Sequence, residues 1–196
     1  TRESARLTRL IDNILDFSRI EAGKKAYTFH AVDPAQIVRC TYDTYRFDLD
    51  HRGFEHALRI DDNLPKINAD ADAIGQAILN LVSNAVKYSR DEKRVDIEVA
   101  KETRRGKHGV LISVKDSGIG IKPEDRVHLF DGFFRAGDDR VRRVRGAGLG
   151  LSVVKHIVEA HGGIVDVESR LVKGTTFRIF LPESAEVADA RSEPHP

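Results

Sequence analysis

The 196-residue chain predicts a two-layer α/β sandwich, a mixed and mostly antiparallel sheet with helices on one face, preceded by a separate coiled-coil-type helix. Three observations predict this. Segments of period two come as neighbouring pairs, residues 95–103 with 110–115 and 164–168 with 175–181. Helical periodicities at 34–52, around 76–89 and from 151 onward segregate from those pairs, which argues against a doubly wound sheet. The apolar stripe of the first 22 residues has nothing immediately after it to cover it.

That first segment carries Leu7, Leu10, Ile11, Ile14, Leu15 and Phe17 among charged and amide residues, and Gly23 ends it. Such a helix docks against other helices in a hairpin or dimeric bundle, with partners expected upstream of Thr1; folding back on the main domain is the alternative. The chain starts at Thr1 and contains no methionine, so it is read as a piece of a longer protein, with a membrane region elsewhere left open. Tyr27, Phe29 and Ala31 alternate as in a strand, and Asp33-Pro34 supplies an N-cap and first-turn proline for a helix to about Arg52. Phe54 to Ile60 and Lys66 to Ala69 read as two further strands. Asp70 then caps a helix in which Ile74, Ile78, Leu81, Val82 and Ala85 share one side, while Gln76, Asn80, Ser83, Asn84 and Lys87 share the other. Val95 to Thr103 and Val110 to Lys115 pair through a polar turn, Arg104 to Gly109, and Ile164 to Glu168 pairs with Thr175 to Leu181. The organisation expected is a helix at 1–24, a main domain at 25–183 and a disordered tail at 184–196, where apolar content falls away.

Composition narrows the function classes. A net charge of +1 with 32% charged residues gives no global attraction to nucleic acid or membrane. The single Cys40 forbids an internal disulfide, which suits a reducing compartment. No apolar run is long enough to span a bilayer and no signal peptide is visible.

Chemistry enters with the polar face of the Asp70 helix. Asn80 and Asn84 are four residues apart, so their amides sit one above the other, with Lys87 a turn further on. Amide oxygens suit magnesium and an ammonium suits phosphate, although alone the face also fits a solvated surface. The strand 110–114 delivers Asp116 into DSGIGI, where a carboxylate and two glycines admit a planar ring, or simply make a turn. Gly146, Gly148 and Gly150 precede an apolar helix pattern, placing backbone N–H groups at a positive helix end. Their G-x-G-x-G spacing lacks the Lys-Ser/Thr of a P-loop and fails the dinucleotide fingerprint.

Asn80/Asn84, DSGIGI at 116–121, LFDGFFR at 129–135, GAGLGL at 146–151 and KGTTF at 173–177 resemble, in order and spacing, the N, G1, F, G2 and G3 boxes of sensor histidine kinases. The resemblance covers about residues 27–182 and implies a Bergerat ATP-binding fold; the first helix resembles the second helix of that family's dimerisation and phosphoacceptor hairpin. It implies ATP and Mg²⁺ as cofactors. Asn84 would ligate the metal and Asn80 would support the metal or phosphate network. Lys87 and Arg135 would contact phosphate, and Tyr88 would pack beside the nucleotide. Asp116 would accept from the adenine amino group, with Gly118 and Gly120 giving the ring room and Ile121 beside them. Gly146, Gly148, Leu149, Gly150 and Leu151 would form the phosphate-side loop; Gly174 would let the last strand turn near the adenine, with Thr176 at the pocket. Residues 131–145 match the position of the ATP lid, where Arg140, Arg142, Arg143 and Arg145 are phosphate candidates or a solvated basic face. Phe133 and Phe134 would anchor the start of the lid, against the hairpin helix or in the core.

ATP-hydrolysing relatives of this fold, DNA gyrase and the heat-shock chaperone ATPases, carry a glutamate base where this chain has Asn80. An amide takes no proton at neutral pH, which fits phosphoryl transfer to a side chain rather than to water. None of the eight histidines has the context of the family's phosphoacceptor, so the acceptor is expected upstream of Thr1. Ala147 stands where Thr or Ser is frequent, costing a hydroxyl contact of about 0.5–1.5 kcal/mol. The expected function is transfer of the γ-phosphoryl of Mg-ATP to a hairpin histidine, for relay to a response-regulator receiver domain. The expected setting is a cytoplasmic homodimer, with any inner-membrane anchor outside this chain. The alternatives are a nucleotide-sensing module that sets hairpin geometry without transfer, and a serine kinase of the anti-sigma type, against which the first helix argues.

Overall fold

The computed structural model describes residues 2–137 and 147–184, with side chains of the first helix described at positions 8, 11 and from 13 onward. The side chains of Leu7 and Leu10 on the expected stripe, the basic residues Arg140 to Arg145, and the tail from 185 lie outside what is described.

Helix α1 (Arg2–Glu21) is followed by β1 (His30–Val32), α2 (Pro34–His51), β2 (Glu55–Ile60), β3 (Ile67–Ala69) and α3 (Ala71–Lys87). Then come β4 (Arg94–Arg104), β5 (Lys107–Asp116), a short α4 (Pro123–Arg126), α5 (Gly150–Ala160), β6 (Ile164–Arg170) and β7 (Gly174–Pro182). The main sheet runs β2-β4-β5-β7-β6, with β2 parallel to β4 and every other pairing antiparallel. A two-stranded sheet of β1 and β3 stands apart. This is the mixed, mostly antiparallel sandwich that the segregated patterns predict.

The core lies between the sheet and α2, α3 and α5. Ile74, Ile78 and Leu81 of α3 meet Val154 and Ile157 of α5 and the inward residues Ile97, Ile112 and Ile179 of the sheet, all under 3% exposed. Each such side chain contributes about 1.5–3 kcal/mol when fully buried. Two helix caps were legible in the sequence: Asp33 accepts from Ala35 N and Asp70 from Ala73 N.

Local details differ from expectation. The first strand begins at His30 rather than Tyr27, because Tyr27 and Phe29 turn aside to pack on His161, with ring centroids 5.2 and 4.8 Å away. The turn expected over 104–109 contracts to Arg105-Gly106, both with positive φ (52° and 76°), the geometry that matches strand twist in a two-residue hairpin. Helix α4 carries no periodicity long enough to be seen in the sequence. Ser184, expected in the tail, is buried and donates its N–H to Lys66 O.

The stripe of α1 divides. Phe17 and Ile20 pack against the main core, whereas Ile11, Ile14 and Leu15 remain 53%, 46% and 50% exposed. Buried Asp16 fastens the helix, accepting from Lys25 Nζ and Gln76 Nε2, both at 2.5 Å. Folding back on the main domain is thus realised for the C-terminal half of α1, while among the described stripe residues Ile11 and Leu15 stay exposed and Ile14 borders a cavity.

Candidate functional site

Because α3 is amphipathic, burying its apolar side aims its polar side into a cavity of about 720 Å³. Asn80, Ser83, Asn84, Lys87 and Tyr88 form this wall; the end of β5, the β6–β7 turn and the start of α5 complete the enclosure. The volume falls in the range of small-molecule sites.

One end is built from backbone packed on backbone. Asp116 ends β5 directly opposite Thr175 of β7 and is 7% exposed. Its Oδ1 accepts from Gly118 N at 2.8 Å and Thr175 N at 3.2 Å. Burial pushes its pKa up to about 6 against the opposing pull of those two bonds. The glycines here are demanded by the protein itself. A Cβ on Gly118 would lie 2.5 Å from Tyr88 O, on Gly120 2.1 Å from Arg170 O, and on Gly174, at φ +100°, 1.9 Å from Asp116 O. Gly118 and Gly120 therefore serve first to seat the loop between α3 and the β6–β7 turn, where Ile119 N bonds Tyr88 O and Val172 N bonds Ile119 O. That differs from the expectation that they simply clear space for a ring.

The opposite end combines side chains of α3 with the loop that opens α5. Asn80 and Asn84 are half-buried, while Lys87 and Arg135 are exposed, and all four line the cavity. Gly148, at φ +74°, lets the loop before α5 pass under Phe134, whose carbonyl would sit 2.6 Å from an added Cβ. Leu149 and Gly150 then open α5 against Asn80, with Leu151 on the same wall. The peptide N–H groups of the first turn of α5 make this end a ready anion site. Burial raises the pKa of Tyr88, opposed by the nearby Arg135 guanidinium, so Arg135 lies at the Tyr88 side of the cavity. Phe133 packs edge-on against Phe17 of α1, with ring centroids 5.2 Å apart.

The fold thus brings Asn80, Asn84, Lys87, Tyr88, Asp116, Gly120, Ile121, Arg135, Gly148, Leu149, Gly150 and Leu151 to one cavity, with Gly118 in the supporting loop. Gly146 lies outside the described residues. Thr176 does not join them. The period of two along β7 sends Thr175 and Phe177 to the cavity and Thr176 to the other face of the sheet. Sequence reasoning also missed Asn13, which lines the cavity. The pairing of Asp116 with residue 175 would have shown that Thr175, and not Thr176, faces the cavity, but register is invisible without the fold. Asn13 of α1 exchanges two hydrogen bonds with Asn80, at 3.3 and 3.4 Å, so one polar residue of the site already has an amide partner.

A family model described as "Histidine kinase-, DNA gyrase B-, and HSP90-like ATPase" matches residues 69–185. The chain is 35% identical over 192 residues to the sensor histidine kinase WalK of Bacillus subtilis, covering 95% of this chain and 30% of that protein. It is 37% identical over 177 residues to the histidine protein kinase DivJ of Caulobacter vibrioides, covering 90% and 29% respectively. The chain therefore spans less than a third of either relative. Among solved structures it is similar to full-length ShkA in complex with AMPPNP, with a TM-score of 0.73, 29% identity, and 94% of this chain and 38% of that one covered. It is also similar to the nucleotide-free catalytic domain of histidine kinase ThkA, with a TM-score of 0.65, 25% identity, and 80% and 98% covered.

Proposed function

This chain belongs to the histidine kinase-, DNA gyrase B- and HSP90-like ATPase family, in its histidine-kinase form, and from that premise we propose that it is the Mg-ATP-binding catalytic domain of a sensor histidine kinase. The observation that carries the reading is the convergence, in one cavity, of a buried carboxylate at one end and two amides with two cations at the other.

The base end is preformed. With Oδ1 of Asp116 taken up by two backbone donors, Oδ2 is the oxygen that accepts from the adenine amino group. Lys87, Arg135 and the first turn of α5 would hold the triphosphate, their positive charge compensating the phosphates. The donor set fits magnesium, which needs few protein ligands when phosphates supply the others: the Asn84 amide oxygen would hold it and Asn80 would support it, and among the described residues no carboxylate cluster competes. When bound, the metal neutralises charge on the transferring phosphoryl group. Asn80 offers no base for water, so the site orients the γ-phosphoryl for an imidazole and leaves hydrolysis unassisted. The receiving histidine belongs to a hairpin outside this chain, with relay to a response-regulator receiver domain, assembly as a homodimer through the hairpin, and any membrane anchor in other regions. Among the described residues no helix is long and apolar enough to cross a membrane. The complex of ShkA with AMPPNP supports the nucleotide assignment.

The test is titration of a fluorescent ATP analogue with and without Mg²⁺, into this chain and into Asn84→Ala and Asp116→Ala. Magnesium-dependent binding that is lost in both variants is expected. A folded parent chain that binds nothing would overturn the assignment.

A further inference from the structure

We propose that Ser169 is a positioning residue that fixes the hydrogen-bond polarity of the base end of the cavity, and with it the preference for a purine bearing an amino group over one bearing a carbonyl at the same position. The inference rests on the ATP-binding reading above and extends it to specificity.

Ser169 sits near the end of β6, is 4% exposed, and is bonded on three sides. Its Oγ lies 2.9 Å from Gly174 O, 2.9 Å from Ile121 N and 2.9 Å from Thr175 Oγ1. A hydroxyl has one proton and two lone pairs. The Gly174 carbonyl can only accept, so it takes the proton of Ser169; the Ile121 amide can only donate, so it takes one lone pair. The third partner must therefore donate, which means that Thr175 turns its proton toward Ser169. What Thr175 then offers the cavity that it lines is lone pairs alone. Beside it stands the Asp116 carboxylate, also an acceptor when ionised, held by the N–H of Thr175 itself. Two adjacent acceptors attract an amino group and repel a carbonyl oxygen.

The same serine joins the two segments that bear these groups. Through Ile121 it holds the loop after Asp116, and through Gly174 it holds the start of β7. Arg126 of α4 braces the arrangement by donating from Nη2 to Ser169 O. Ser169 and Thr175 are both buried, and Ser169 stands behind the cavity wall to which Thr175 and Ile121 belong.

The experiment compares ATP with inosine triphosphate, which carries a carbonyl in place of the amino group, in the parent chain and in Ser169→Ala, Ser169→Thr and Thr175→Val. Ser169→Ala frees the Thr175 proton to turn into the cavity. Expected is a three- to tenfold weaker binding of ATP with inosine triphosphate weakened less than about twofold, so that discrimination narrows. Thr175→Val should narrow it similarly, Ser169→Thr should restore it, and magnesium tripolyphosphate should compete equally well in all. Equal weakening of both nucleotides, or an unchanged ratio in a variant that melts as a folded domain, overturns the proposal. Should Ser169→Ala not fold, an unchanged ratio in Thr175→Val does the same. A folded parent that binds neither nucleotide removes the ATP-binding reading itself and this inference with it. A parent that binds ATP with a ratio untouched by the variants removes only the inference.

Discussion

The two ends of the cavity are built on different physical terms. At the base end, Asp116, Gly118, Gly120 and Gly174 are locked by backbone contacts that leave no room for even a methyl group. At the phosphate end only Gly148 is held as tightly, by the Phe133–Phe134 backbone; Lys87 and Arg135 are exposed side chains, Gly150 has ordinary clearance, and Asn80 is paired with an amide of α1. Recognition of a planar base requires fixed geometry, so its cost is met once, in folding. Phosphate binding draws on charge and helix-end N–H groups, which tolerate rearrangement, so this end is free to be coupled to α1.

The sharpest way to break the comparison is with the glycines. Gly174→Ala places a Cβ in the Asp116 carbonyl at a left-handed φ, and should destabilise the domain by about 3 kcal/mol or more while abolishing nucleotide binding. Gly150→Ala, whose Cβ would lie 3.8 Å from Asn80, should shift stability by less than about 0.5 kcal/mol. Thermal unfolding of the two variants decides it; equal losses would show that the ends are equally rigid.

A second test uses pH. The folded-state pKa of Asp116 is raised to about 6 by burial, above its unfolded value, so the folded state holds the proton more tightly than the unfolded one. This carboxyl's contribution to stability therefore falls as pH rises from about 4 to about 6, and its cost is constant above that. Binding runs the other way. An ionised acceptor is needed for the base amino group, so ATP affinity should weaken as pH drops below about 6 while tripolyphosphate affinity does not follow the same inflection. Isothermal titration across pH 5–8 measures both. A shared inflection would place the titrating group at the phosphate end.

The smallest effect concerns α1. Asn13→Ala removes the reciprocal amide pair from Asn80 and should tighten Mg-ATP by about two- to fivefold with little change in melting temperature. Unchanged affinity would show that the pair exerts no hold on the site.

Much of this molecule follows from the sequence. The period-two pairs, the Asp33 and Asp70 caps and the two-faced α3 depend on local spacing, and each was legible because short-range sterics and amphipathicity leave few alternatives. The five glycine, asparagine and phenylalanine boxes gave the family for the same reason: a site whose parts are fixed by backbone shape leaves glycines at constant positions. The sequence did not reveal which of two adjacent threonines faces Asp116, because that choice is set by strand register across β5 and β7. Nor did it reveal that Ser169, 53 residues from Asp116 by position, bonds Gly174 and Thr175 behind the cavity. The amide pair of Asn13 with Asn80 was equally hidden, whereas the packing of Phe133 on the first helix, at Phe17, was one of the two placements expected for it. Local pattern determined which groups the chain would bring to a nucleotide; only long-range pairing decided their orientation, because hydrogen-bond polarity and side-chain direction exist only once both partners are in place.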